Sequence, residues 1–175
     1  MRAVGPVTAA VRVDVFSDFE CPACKALAEQ TMKRIKDEYA LKGRIRLVHH
    51  DFPLPQHKHA RRAATLAAAA DRLGKYDQVA EVLFRQQASW SKAGNVDEVV
   101  DSVLTPEERK RIDEIAKDPA IAQNIERDIQ LGQRMNVNST PTTIVTHNGK
   151  PNPVVGVVSY QVFSRYLDKL LGEAR

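Results

Sequence analysis

Two residues of this 175-residue chain stand out for their chemistry: Cys21 and Cys24, its only cysteines, in the run Cys21-Pro22-Ala23-Cys24. Residues three apart share a helix face, so the two sulfurs can meet as a reversible dithiol/disulfide pair. A strand-like pattern precedes them and a helical one follows, which sets Cys21 at a helix N-terminus. There the backbone N–H groups are unpaired and the macrodipole is positive, and both favour a thiolate. Pro22 suits the first helical turn, where no donor is wasted. A free thiol with a pKa of about 8.5 is only about 3% ionised at pH 7, whereas redox motifs of this kind run from about 3.5 to about 7. Each pKa unit is about 1.4 kcal/mol, and the same stabilisation of the reduced form makes the disulfide more oxidising.

Plainer readings compete with this one. A structural disulfide closing so short a loop is worth only about 2 kcal/mol in chain entropy, against about 3 for a 15-residue loop. The pair could also be incidental cysteines in a reducing compartment, or half of a metal site completed by His49, His50, His57 or His59. None of these histidines has a recognised ligand spacing to the pair. A metal-binding or metal-delivery module using Cys21 and Cys24 with a histidine is the alternative to redox chemistry.

The second element with chemical content is Ser139-Thr140-Pro141-Thr142, opening a strand about 120 residues downstream. Proline is tolerated at a strand's first residue, and an X–Pro bond admits the cis form at modest cost. A cis bond would turn the Thr140 backbone outward, where its N–H and C=O could pair with an extended substrate. The bland alternative is an ordinary trans proline.

The elements that must position these residues follow from periodicity. Val11, Val13 and Val15 alternate with Arg12 and Asp14, predicting a strand over 7–16. From Pro22, Leu27, Thr31, Ile35 and Tyr39 recur every four residues on one helix face, and Gly43 ends that helix. A second strand is expected over 44–51, then an extended Phe52-Pro53-Leu54-Pro55 turn. Residues 57–135 read as helical: an Ala-rich segment over 61–72, a helix from Tyr76, one opened by Asn95, one with a Thr105 capping box, and one from Asp118 carrying Ile121, Ile125 and Ile129 as core. Trp90, the single tryptophan, reads as packing within this region. Strands return over 142–146 and 154–158 around an Asn148-Gly149 turn, and Ser159 caps a last helix. The expected fold is α/β, with the sheet domain from residues 1–56 and 136–175 and a helical insertion over 57–135, longer than ordinary loops allow.

Composition narrows the function classes. Apolar residues are 43%, charged residues 27%, and the net charge is +4, a globular balance. The charges alternate in sign, with acids flanking even Arg109-Lys110-Arg111, so no basic stripe points to nucleic acid. The Ala67–Ala70 run is far short of the roughly 18 apolar residues of a membrane span. Met1 to Val7 does not read as a signal peptide, because Gly5 and Pro6 interrupt it. That start is expected of a cytoplasmic protein or of the mature form of an exported one.

Phe16-Ser17-Asp18-Phe19-Glu20-Cys21-Pro22-Ala23-Cys24-Lys25, together with Asn138-Ser139-Thr140-Pro141-Thr142, resembles the DsbA-type branch of the thioredoxin superfamily. His50-Asp51-Phe52-Pro53-Leu54, the long helical insertion, and Gly156 before Ser159-Tyr160 extend the resemblance over nearly the whole chain. It implies a thioredoxin fold, a central mixed sheet flanked by helices, with a DsbA-like inserted helical subdomain. It implies Cys21 as nucleophile, Cys24 as the more buried resolving thiol, and Pro141 as a cis proline facing them. Thr140 would bind substrate backbone, and Pro22 and Ala23 would tune the thiolate. It further implies a monomeric, extracytoplasmic (periplasmic) enzyme acting on cysteine-containing proteins, reset by a membrane redox partner and needing no cofactor and no metal. Net disulfide formation is the expected direction, with reductase or isomerase as alternatives. A glutathione-linked enzyme of related fold is a more distant reading, opposed by the second cysteine. Two departures matter. Pro22-Ala23 lacks the histidine found between the cysteines of the best-known oxidase, which implies a less oxidising couple. Val15 stands where relatives carry a buried acid; Asp14 beside it should face the other way, and Asp18 and Glu20 are expected to be solvated.

Overall fold

In the computed structural model, which describes residues 1–172, the chain forms a five-stranded mixed sheet flanked by helices. The strands are β1 (Ala3–Val4), β2 (Val11–Ser17), β3 (Arg46–Asp51), β4 (Thr142–His147) and β5 (Lys150–Val155), in the spatial order β1-β3-β2-β4-β5. Strands β2 and β3 are parallel, in register from Arg12↔Arg46 to Ser17↔Asp51, and the other pairs are antiparallel. The first long strand starts at Val11 rather than at position 7. Val7 lies in a turn and is 83% exposed, so its apolar character does not report a strand.

The two faces of β2 divide the core. Val11, Val13 and Val15 pack with Leu27, Ile35 and Tyr39 of the helix over 22–40 (α1) and with Phe163 and Leu167 of the last helix, Tyr160–Leu170. Phe16 turns to the opposite face with Phe52, Val137 and Ile144, where the helix Pro119–Arg134 lies. That helix comes close because Gly132 has no side chain: a Cβ there would sit 2.6 Å from a Phe52 ring carbon.

Helix α1 differs from a regular α-helix. Ala28–Met32 and Lys36–Ala40 are π-wound. The spacing of Leu27, Thr31, Ile35 and Tyr39 explains it. In an α-helix every fourth residue overshoots its predecessor by about 40°, so three such steps would carry Tyr39 about 120° off the face. Wider π turns absorb that drift, and all four side chains are at most 1% exposed.

The inserted helices are α2 (Ala60–Asp71), α3 (Tyr76–Arg85), α4 (Gln87–Ala93), α5 (Val96–Asp101), α6 (Pro106–Ala116) and α7 (Pro119–Arg134), with α8 (Tyr160–Leu170) closing the chain. The Thr105–Glu108 capping box and the Asp118 and Ser159 caps are all formed. Alanines of α2 allow α3, α6 and α7 to crowd it. Trp90 is fully buried, its indole N–H donating to the Leu83 carbonyl.

After the Asn148-Gly149 turn the last strand is Lys150–Val155, not 154–158. Pro151 and Pro153 mask its pattern, and they are tolerated because β5 is the sheet's free edge, where a missing N–H breaks no ladder bond. Gly156, at φ +83°, then turns the chain so that its N–H reaches the Pro141 carbonyl at 2.8 Å.

A charged network ties β2, β3, α7 and the N-terminus together. His50 lies between Asp14 and Asp128, 2.7 Å from a carboxylate oxygen of each. Arg2 bridges Asp128 and Asp51. Burial opposes the His50 proton, but the two carboxylates outweigh it and raise the pKa above 6.5. Both carboxylates are held low by the same contacts, against their own burial. Asp14 is thus committed to the face away from the cysteines, as its place on β2 predicted.

Candidate active site

Strand β2 delivers the chain to a tight turn over 18–21, closed by the Cys21 N–H to the Asp18 carbonyl at 3.1 Å. Cys21 is the N-cap of α1 in extended backbone geometry, with Pro22 at the first helical position. Both cysteines are free thiols; Cys21 is 7% exposed and Cys24 1%. Cys24 pushes the Cys21 pKa down from 9.0 to about 5 by donating its S–H, against the opposing effect of burial, and the backbone N–H groups of Cys24 and Ala23 add to it. Burial raises Cys24 far above a normal thiol, and the Cys21 sulfur reinforces this. One sulfur is therefore ionised at neutral pH while its neighbour keeps its proton.

The Thr140–Pro141 peptide is cis. It brings the Thr140 carbonyl oxygen to 3.5 Å from Cys21 Sγ, where the protonated thiol can donate to it. Residues 119 positions apart in sequence thus meet at the start of one helix. Pro22 and Ala23 occupy the first turn of α1, with Ala23 packed against the inserted helices.

The surroundings hold residues that sequence reasoning missed or misread. Asp18 was expected to be solvated, but it is 2% exposed. Its carboxylate accepts from Glu20 N at 2.7 Å and Leu54 N at 2.8 Å, and it lies 2.7 Å from His57 Nδ1. Its own N–H points at Cys24 Sγ, 3.4 Å away. Burial raises its pKa, the three contacts opposing. The turn from Phe52 folds back over β2 and encloses it, a tertiary contact that no local pattern announces. Glu20 accepts from His59 N at 2.8 Å. Gln87 of α4 is buried and donates its amide to the Phe19 and Cys21 carbonyls at 2.6 and 2.9 Å, which locks the turn to the inserted helices. Nothing in its local pattern, Gln87-Ala88-Ser89-Trp90-Ser91-Lys92-Ala93, singled it out.

Three of the four histidines weighed as metal ligands are engaged elsewhere: His57 with Asp18, His50 with Asp14 and Asp128, and His49 beside the Phe19 and Tyr76 rings. Among the described residues no three His, Cys, Asp or Glu side chains converge as a metal site.

A mixed sheet, a dithiol at the head of its first long helix and a cis X–Pro loop facing the sulfur define a protein of the thioredoxin fold carrying a helical insertion. The chain belongs to the family whose model, described as Thioredoxin, matches residues 1–169. It is 27% identical over 156 residues to the Bacillus anthracis protein named "Probable disulfide bond formation protein D", covering 84% of this chain and 70% of that one. Its fold is similar to that of alpha-DsbA1 of Wolbachia pipientis, with TM-score 0.80 and 19% identity over 98% of this chain and 90% of that one. It is also similar to oxidised BdbD of Bacillus subtilis, with TM-score 0.76 and 24% identity over 98% and 92%.

Proposed function

We propose that the protein is a thiol–disulfide oxidoreductase that forms disulfides in other proteins through Cys21 and Cys24. The observation that carries this is the asymmetry of the pair. Cys21 is held near pKa 5 at the helix start beside the Thr140 loop, while Cys24 is buried with its pKa raised. The name of the Bacillus anthracis relative supports the direction.

In the oxidised protein a client thiolate attacks Cys21 Sγ. The Cys21–Cys24 bond breaks, its electron pair goes to Cys24, and a client–Cys21 mixed disulfide forms. The Asp18 N–H stabilises the departing Cys24 sulfur until it takes a proton. A second client thiolate then attacks the client sulfur of the mixed disulfide and Cys21 leaves. A thiol of pKa about 5 is a good leaving group, because lower-pKa thiols depart faster. Two electrons pass from client to protein; of the client's two thiol protons, one ends on Cys24 and the other is released to solvent, because Cys21 leaves as the thiolate. Pro22 and Ala23 shape the first turn around the thiolate. With the Cys21 sulfur ionised, the Thr140 carbonyl is left to accept from client backbone.

The reading includes an extracytoplasmic, monomeric protein whose reduced pair is returned to the disulfide by a membrane redox partner. Residues 1–56 and 136–175 form the catalytic domain, and 57–135 the insertion. A Cys24→Ala variant tests the core of this reading. It should accumulate mixed disulfides through Cys21 that reducing agent releases, and a Cys21→Ala variant should trap none. Equal trapping by both variants, or by neither, would overturn it.

A further inference from the structure

A cavity of about 500 Å³ opens beside the Thr140 loop on the α7 face of the sheet. Its floor and walls are Ile144 of β4, Met135 at the end of α7, and Pro151, Pro153 and Val155 of β5. These side chains share a face because β4 and β5 pair Thr142↔Val155, Ile144↔Pro153 and Thr146↔Pro151, and alternate residues point the same way. Its rim is polar: Asn138, Ser139 and Arg134. Arg134 is exposed in the last turn of α7 and makes no ion pair among the described residues. The volume lies within the range of ordinary ligand pockets.

The position of the cavity identifies its occupant. Ser139, on the rim, directly precedes Thr140, whose carbonyl lies 3.5 Å from the Cys21 sulfur. The far wall is anchored to the same loop, since Gly156 N donates to the Pro141 carbonyl and Ser139 O accepts from the Thr142 hydroxyl at 2.7 Å. An extended chain advances about 3.3 Å per residue. A client whose cysteine is bonded to Cys21 and whose backbone passes Thr140 brings a side chain two or three residues away over the cavity. Resting on the proposed exchange reaction, we infer that this cavity is a client-sequence subsite. It takes an apolar residue, with an acidic neighbour facing Arg134, on one side of the client cysteine.

The experiment measures the rate at which the oxidised, full-length protein oxidises dithiol peptides. Two sets carry leucine or serine, and glutamate, glutamine or lysine, two to three residues to the N-terminal or C-terminal side of the attacking cysteine. Dithiothreitol, too small to span loop and cavity, reports the exchange reaction alone. In one set only, leucine should exceed serine about tenfold, the scale of a buried apolar side chain. In that set glutamate should exceed lysine about threefold, the scale of an exposed ion pair. Arg134→Glu should invert the glutamate-over-lysine ratio, and Arg134→Gln should bring it to unity. Dithiothreitol oxidation with no discrimination in either set, or with a charge ratio indifferent to Arg134, overturns the subsite while leaving the exchange reading in place. Absence of dithiothreitol oxidation overturns both.

Discussion

Replacing Cys21 by serine removes the ionisable sulfur while keeping a side chain of similar shape, so it isolates what the thiolate contributes to the reduced protein. The folded-state pKa is about 5, against about 8.5 for a free thiol. A depressed pKa contributes stability that is present above the unfolded value and lost as pH falls through the folded one. Between those limits the unfolded chain binds one more proton, and stability rises by about 1.4 kcal/mol per pH unit. The thiolate therefore contributes about 2.7 kcal/mol at pH 7 and about 0.4 at pH 5. Water reaching the open side of the sulfur screens part of this, which leaves a difference of about 1.5 kcal/mol between the two pH values. Urea unfolding of reduced protein and of Cys21→Ser, each at pH 5, 6, 7 and 8, measures it. Every other titration is common to both proteins and cancels in the difference. The gap between them should widen with pH, in step with the growth of thiolate absorbance. A gap that stays constant from pH 5 to 8 would refute the thiolate and with it the leaving-group argument.

Other expectations follow from the same geometry. A Cys21 pKa of about 5 lies between the roughly 3.5 of the strongest oxidant of this kind and the roughly 7 of thioredoxin. Interpolation between their potentials of about −120 and −270 mV gives about −180 mV, and a glutathione titration giving a value above about −120 mV would contradict it. Asp128→Ala removes a carboxylate shared by buried His50 and Arg2 and should cost about 3–5 kcal/mol in denaturant unfolding. The His50 pKa is raised, so its contribution is complete below pH 6.5 and fades as pH climbs through the folded value; that alkaline decline should disappear in His50→Gln. Gly132→Ala places a methyl 2.6 Å from the Phe52 ring and should lower thermal stability by about 1–3 kcal/mol.

What the sequence revealed depended on how local the cause was. The end of the strand before Cys21, the caps at Thr105, Asp118 and Ser159, and the dithiol at the helix start are written in neighbouring residues, and these are found where expected. The reach of the first strand was overestimated because Val7 is apolar but sits in a turn. The last strand was displaced because Pro151 and Pro153 look like breakers unless it is known that their strand is an edge. The π turns were latent in the four-residue spacing, which a 3.6-residue period does not honour. Asp18 was misread because its burial depends on a loop 36 residues away. Gln87 was missed because its partners, the Phe19 and Cys21 carbonyls, are 68 and 66 residues distant.

The prolines of β5 carry a last consequence. On the proposed reaction, clients arrive unfolded, with backbone donors and acceptors ready to pair with any open sheet margin. At Pro151 and Pro153 this margin has no hydrogen to offer, so a visiting chain finds no run of partners along it and cannot be annexed as a sixth strand. In that reaction, backbone pairing with the client is thereby left to the Thr140 loop while β5 offers side chains only, a grip short enough to let go once the sulfurs have been exchanged.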